Sequence, residues 1–156
     1  MAIDRIFHEF FDNQILIATL VAWFMAQVIK IPVEYLRTKE WNWALFISTG
    51  GMPSSHTSLV SGLAIGVGLW EGFDTAAFAL SFGLAMVVIY DATGIRRQAG
   101  QHAQLINAIV NQLAAGHPIK EQQEKQLKEI LGHTWIEAFG GILWGILVVW
   151  LCWIFD

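Results

Sequence analysis

Apolar residues in this chain gather into long runs, not alternating patterns. Four of these runs read as bilayer-crossing stretches: Ile15 to about Ile31, Ser58 to Trp70, Thr75 to Tyr90 and Ala138 to Phe155. Several fall short of the ~20 residues a spanning helix uses. Uncharged flanks lengthen them, His56 and Thr57 before the second and Ile136 before the fourth. A further stretch, WNWALFIST (41 to 49), is too short to span and reads as a half-helix or as a dip into the interface. Between the third and fourth runs the pattern changes. In HAQLINAIVNQLAAG, Leu105, Ile106, Ile109, Val110 and Leu113 fall on one helical face, with Gln104, Asn107, Asn111 and Gln112 opposite. That spacing predicts an interfacial amphipathic helix. Gly116 and Pro118 end it, and PIKEQQEKQLKEIL predicts a second, charged helix in water or among headgroups. The predicted fold is all-α: an integral membrane bundle of about four transmembrane helices plus one or two interfacial or cytoplasmic helices. It forms a single membrane-embedded domain over residues 1–156.

Composition agrees with this pattern. Hydrophobic residues make up 55% of the chain and charged residues 14%, against about a quarter charged in a soluble domain. The sequence MAIDRIFHEFFD carries more acid than base, unlike the basic start of a cleaved signal peptide, so the first apolar run is expected to be retained. Cys152 is the single cysteine and has no internal partner for a disulfide. Nothing points to nucleic acid. Gly62 and Gly66, and again Gly141 and Gly145, stand four apart, a spacing that lets helix backbones approach closely in a membrane. Packing within one chain and a homodimer face both account for them.

Four crossings put residues 32–57 and 91–135 on one side, with both termini and the turn EGFD (71 to 74) on the other. Lys30, Arg37, Lys39, Arg96, Arg97, Lys120, Lys125 and Lys128 belong to the first side and Arg5 to the second. The excess of cations makes the first side cytoplasmic. Removing Lys30, Arg37, Arg96 and Arg97 as possible anion ligands leaves the same bias.

That same side holds the unusual polar groups. Lys30 ends the first run, GGMPSSH opens the second, YDATGIRRQAGQH closes the third and LGHTWIE opens the fourth. Lys30, His56, Asp91, Arg96, Arg97, His133 and Glu137 are thus brought to one membrane surface. Ionisable groups at such depth are costly and mark function by default. Cations beside a helix N-terminus suit an anion, phosphate above all, with Ser54, Ser55 and the backbone after Gly50-Gly51 as donors. Two histidines can act as nucleophile and general acid. On a helix His133 and Glu137 are one turn apart, where a carboxylate fixes an imidazole tautomer and stabilises its cation. No cluster of carboxylates suggests a metal pair, so metal-free phosphoryl transfer through histidine fits best, with no cofactor.

These motifs resemble those of the type 2 phosphatidic acid phosphatase superfamily, which includes the vanadium haloperoxidases. Its three motifs are K-x6-R-P, P-S-G-H and S-R-x5-H-x3-D. Here Lys30-x6-Arg37 is followed by Thr38, Pro53-Ser54-Ser55-His56 stands for the second motif, and His133-x3-Glu137 resembles the tail of the third. GGMPSSH, YDATGIRRQAG and LGHTxxE are similar to the divergent bacterial and plant branch, over roughly residues 27 to 145. The resemblance implies that His133 is a nucleophile forming a phosphohistidine, that His56 protonates the leaving alkoxide, and that Glu137 orients His133. Lys30, Arg37 and a third-motif arginine would neutralise phosphate oxygens. That arginine should stand six residues before His133, where this chain has Leu127 beside Lys128; Arg96 or Arg97 is the candidate substitute. Ser55, Glu137 and Thr38 replace a glycine, an aspartate and a proline of the motifs.

Plainer roles stand beside these. Lys30, Arg37 and Lys39 also read as snorkelling anchors, Pro53-Ser54-Ser55 as a helix cap, Asp91 as a partner for Arg96 or Arg97, and His133 with Glu137 as a surface pair. His8, His102 and His117 read as interfacial or solvated. Trp41, Trp43, Trp144, Trp150, Trp153 and Tyr90 read as interface anchors and lipid contacts. The expected function is a metal-independent lipid phosphate phosphatase. Its substrate would be phosphatidylglycerophosphate, phosphatidic acid or polyprenyl diphosphate, with the site on the cytoplasmic face of the cell membrane. The alternatives are a catalytically degenerate phospholipid-binding protein and, more remotely, a haem protein using His56 and His133 as axial ligands.

Overall fold

A computed structural model describes residues 2–46, 50–114 and 134–156. Their elements are helices: α1 (Ala2–Phe11), α2 (Gln14–Thr38), a 3-10 turn (Trp43–Phe46), α3 (Ser55–Trp70), α4 (Ala76–Thr93), α5 (Ile95–Ala114) and α6 (Trp135–Ile154). The starts follow local chemistry. Asn13, Ser54, Thr75 and Thr134 each stand before a helix and accept an amide from its first turn, satisfying donors that the helix itself cannot. The central element is α3, packed against α2, α4 and α6.

The helices are apolar on the outside and small or polar within. Leu80, Val87 and Ile136 are exposed, while Ala18, Ala22, Ala26, Ser55, Thr57 and Ser58 are buried. Water would not tolerate that arrangement over so wide a band. A bilayer does, because lipid offers no penalty to large apolar side chains and small residues let helices approach. Among the described residues, three stretches are long and apolar enough to cross a membrane: Gln14–Thr38, Ala76–Val110 and Trp135–Ile154. The second expected crossing is not among them. The helix there, α3, has 16 residues, about 24 Å at 1.5 Å per residue, against a hydrocarbon core of ~30 Å. Three neighbouring helices shield it, so its length is not set by lipid contact.

The glycine pairs resolve into contacts within the chain. A Cβ on Gly141 would stand 2.0 Å from Thr57 Oγ1 and 2.3 Å from the Ser54 carbonyl oxygen; one on Gly145 would stand 2.3 Å from the Ser58 carbonyl oxygen. A Cβ on Gly62 would meet Val149 at 3.1 Å. Both pairs therefore line the α3–α6 seam. Buried hydroxyls lace α3 to its neighbours: on α6, Thr57 Oγ1 donates to the Ala138 carbonyl (3.0 Å) and Ser61 Oγ to the Ile142 carbonyl (3.4 Å), and on α2, Ser58 Oγ donates to the Ala22 carbonyl (3.2 Å).

Other elements depart from the sequence reading. Lys30 does not end the first span: α2 continues through Pro32 to Thr38 and stops at Lys39, whose backbone is left-handed with φ 62°. Pro32 lacks the N–H that would bond the Val28 carbonyl and sets its ring against it, and the helix nevertheless continues on both sides. The acidic N-terminus forms an amphipathic helix, α1, tied by an exposed Arg5–Glu9 contact of 2.8 Å. The 41–49 stretch contains the 3-10 turn, and residues 47–49 lie outside the described residues. The amphipathic helix begins earlier than expected, at Ile95; its apolar residues Leu105, Ile106 and Ile109 are exposed while Ala103 and Asn107 are buried. The charged helix expected after Pro118 falls outside the described residues.

Candidate functional site

The site is built where the start of α3, the start of α6 and the upper part of α2 meet. Gly51 takes a φ of +89°, a left-handed conformation open to glycine, and turns the chain through the cis Met52–Pro53 bond into α3. Ser54 caps α3, its Oγ accepting from the Thr57 amide at 3.4 Å. The Ser54 amide in turn donates to the Glu137 carbonyl on α6 at 3.0 Å. The loop and the first turn of α6 are thus locked together by main-chain and side-chain bonds.

Lys30 lies under that loop. Its side chain is 0% exposed. Nζ donates to Gln27 Oε1 at 2.5 Å and to Ser55 Oγ at 3.2 Å. Gly51 packs over the aliphatic stem: a Cβ there would sit 3.6 Å from Lys30 Cδ. A buried ammonium needs such partners, because an isolated one would be strongly disfavoured. The structure therefore brings together Lys30, Ser54, Ser55 and Glu137 from segments far apart in the chain.

Glu137 has a second task. Its carboxylate accepts from the Thr134 amide at 3.0 Å while Thr134 Oγ1 accepts from the Glu137 amide at 3.3 Å. This reciprocal cap holds the backbone at the residue directly after His133 in sequence. His133 itself, with Leu127 and Lys128, lies outside the described residues. His56 opens α3 beside Ser55 and is half-buried. Arg37 is exposed, seven residues beyond Lys30 on α2, two turns and about 10 Å further along nearly the same face. Asp91 is half-buried near the end of α4 and lines an apolar crevice with Met86, Val87, Tyr90 and Ile95. Arg96 and Arg97 stand in the first turn of α5.

Three contributors escaped the sequence reading. Gln27 bonds Lys30, Thr57 ties α3 to α6, and Thr134 caps α6. Gln27 carried a signal: an amide three residues before a lysine, inside an apolar run, needs a hydrogen-bond partner on the same helical face. Among the described residues no group of three or more His, Cys, Asp or Glu side chains is arranged to hold a metal ion.

The fold and site define a helical integral membrane protein with a buried cation under a serine-rich helix start. The chain belongs to the divergent PAP2 family, whose model matches residues 11–148. It is 43% identical over 148 residues to the uncharacterized membrane protein YuiD of Bacillus subtilis (strain 168), covering 90% of this chain and 94% of that protein. No solved structure matches it.

Proposed function

We propose that this protein is a metal-independent lipid phosphate phosphatase acting through a phosphohistidine. The observation that carries the reading is the enclosed Lys30 ammonium bonded to Ser55, under a loop whose Ser54 amide donates to the backbone carbonyl of Glu137. Such a cation, set at a helix N-terminus, is suited to a phosphate oxygen. In this reading α3 completes a four-crossing bundle, its short span extended by the uncharged loop before Ser55, and the site faces the cytoplasm as the lysine and arginine bias requires.

The chemistry is a double displacement. A His133 imidazole nitrogen attacks phosphorus, and the bond to the lipid oxygen breaks. His56 gives its proton to the leaving alkoxide. Water, deprotonated by His56, then cleaves the phosphorus–nitrogen bond and releases inorganic phosphate. Lys30 and Arg37, with Arg96 or Arg97, offset charge on the phosphoryl oxygens. Ser54 and Ser55 bind the phosphate, and Asp91 steadies the arginines or meets the substrate. Glu137 positions His133 by fixing the adjoining backbone at Thr134. Phosphatidylglycerophosphate and phosphatidic acid suit a cytoplasmic site, and polyprenyl diphosphate shares the same group.

The decisive experiment measures phosphate release from these lipids in detergent with EDTA present, for the wild type and His133→Ala. Release by the wild type alone supports the reading, and release by the variant sinks it. One observation favours a second reading, a catalytically degenerate protein that binds phospholipid headgroups. Ser54 Oγ and Ser55 Oγ are engaged within the protein, and Leu127 stands where the related motif has arginine. That reading expects binding of lipid phosphate without release.

A further inference from the structure

The bundle has a second polar level, at the end away from Lys30. Gln14 opens α2, and its Nε2 donates to Asp156 Oδ1 at 2.5 Å. Trp70 closes α3, and its Nε1 donates to Asp156 Oδ2 at 3.2 Å. Both α2 and α6 are long and apolar enough to cross a membrane, so this cluster marks where they leave it. Trp70 packs against the apolar core while its N–H meets a carboxylate, as a tryptophan does at a membrane–water boundary. Phe73, in the turn after α3, and Phe155, after α6, are exposed at the same end.

The helix α1 is tied to that level. Only Asp12 and Asn13 separate Phe11 from Gln14, a reach of at most about 11 Å. Neither residue is free to extend: the Asp12 amide donates to the His8 carbonyl at 2.8 Å, and Asn13 Oδ1 accepts from the Leu16 amide at 2.9 Å. Among the described residues α1 packs against no element but α2. It nevertheless has two faces. Phe7, Phe10 and Phe11 fall within about 100° of helical arc, and Arg5, His8, Glu9 and Asp12 within about 100° on the other side. The rings touch one another, Phe7 with Phe11 at 6.4 Å and Phe10 with Phe11 at 5.5 Å between centroids. Each is more than half exposed, so the bundle does not cover them.

A cluster of bare rings held within one turn of a membrane boundary meets the bilayer by its position. Charge selects the kind of surface. The stretch carries Asp4, Glu9 and Asp12 against Arg5, and Arg5 is itself bonded to Glu9 at 2.8 Å. Such a helix gains nothing from anionic lipid, unlike the lysine- and arginine-rich helices that lie on membranes by attraction to it. We infer that α1 lies flat in the headgroup–hydrocarbon boundary of the leaflet opposite the candidate site, seating Phe7, Phe10 and Phe11 in zwitterionic lipid. Nothing in this seating depends on phosphate chemistry, so it stands or falls apart from the proposed function.

The test places the full chain in nanodiscs of phosphatidylcholine alone. In a Cys152→Ser background, single cysteines at Arg5, Phe7, His8, Glu9, Phe10 and Phe11 carry a nitroxide. Collision with oxygen, which concentrates in the bilayer, is compared with collision with a water-soluble nickel chelate. The expected ratio of oxygen to nickel access is higher at Phe7, Phe10 and Phe11 than at Arg5, His8 and Glu9 by about threefold or more. High nickel access at all six positions overturns the inference, since α1 then stands in water. Low access to both reagents at the three phenylalanine positions also overturns it, in favour of a second copy or another protein covering the rings. A label at Glu9 leaves every ring in place. With that label, Phe7→Ser combined with Phe11→Ser should release α1 and raise nickel access severalfold; unchanged access shows that the rings do not hold the helix and likewise overturns the inference.

Discussion

Replacing Gly141 by alanine should separate α6 from α3. The added methyl would stand 2.0 Å from Thr57 Oγ1 and 2.3 Å from the Ser54 carbonyl oxygen, when ordinary contact begins near 3.4 Å. The hydroxyl can rotate away, but the carbonyl belongs to the cap of α3 and cannot. The helices must part by about 1 Å, which strains the bonds from the Ser54 amide to Glu137 and from Thr57 Oγ1 to Ala138. Overpacking of this kind costs about 1–3 kcal/mol, and each interhelical hydrogen bond lost in a membrane adds about 0.6 kcal/mol. Alanine returns up to ~1 kcal/mol through its better helix propensity. The expected net destabilisation is roughly 2 kcal/mol, about a thirtyfold change in the folding equilibrium. The assay is reversible unfolding in mixed micelles, with Gly83→Ala as the control. A Cβ on Gly83 meets nothing within 4 Å, so that variant should be neutral or up to ~1 kcal/mol more stable. If Gly141→Ala is as stable as Gly83→Ala, the close α3–α6 approach is wrong, and with it the joining of the GGMPSSH loop to Glu137.

Other outcomes follow from the same geometry. Lys30→Met should lower phosphate release by about 10²–10³, the usual effect of deleting one charge-stabilising donor, as read by kcat at saturating lipid; unchanged turnover would exclude Lys30 from the site. Thr134→Ala removes the N-cap of α6 and should cost about 0.5–2 kcal/mol in unfolding free energy, whereas Thr134→Ser should restore most of it. Gly51→Ala forces a left-handed φ of +89° on a residue with a Cβ, at about 1–2 kcal/mol. A raised KM for lipid phosphate with little change in kcat would show that the loop serves binding.

How far the chain could be read without its fold depends on whether a feature is local. The helices α2, α4 and α6 were legible because a run of apolar residues is continuous in sequence. The cap at Ser54 was legible because a cap and the amides it serves lie within three residues. The cluster of Lys30, Ser54, Ser55 and Glu137 was legible as residues sharing one membrane surface, because membrane topology constrains coarse position. Their contacts were not. Nothing local told that α2 continues past Pro32, placing Arg37 two turns along the same helix as Lys30. Nor did the acids of residues 1 to 12 announce α1, which contains no long apolar run.

The sequence by itself determined that this is a helical membrane protein, and it marked Lys30, Ser54, Ser55 and Glu137 as polar exceptions beside its apolar runs. Apolar length and polar exceptions are properties of the chain, and lipid permits few alternatives for such a chain. Tertiary structure alone decided what those groups touch. It put the short helix α3 at the centre, spent the glycines of α6 on the backbone of α3, and turned Lys30 inward onto Gln27 and Ser55. Helical periodicity fixes which residues share a face, but which neighbour that face meets is settled by packing among segments distant in sequence. In a bilayer, where large apolar side chains gain little by turning inward, small residues and hydrogen bonds make that choice.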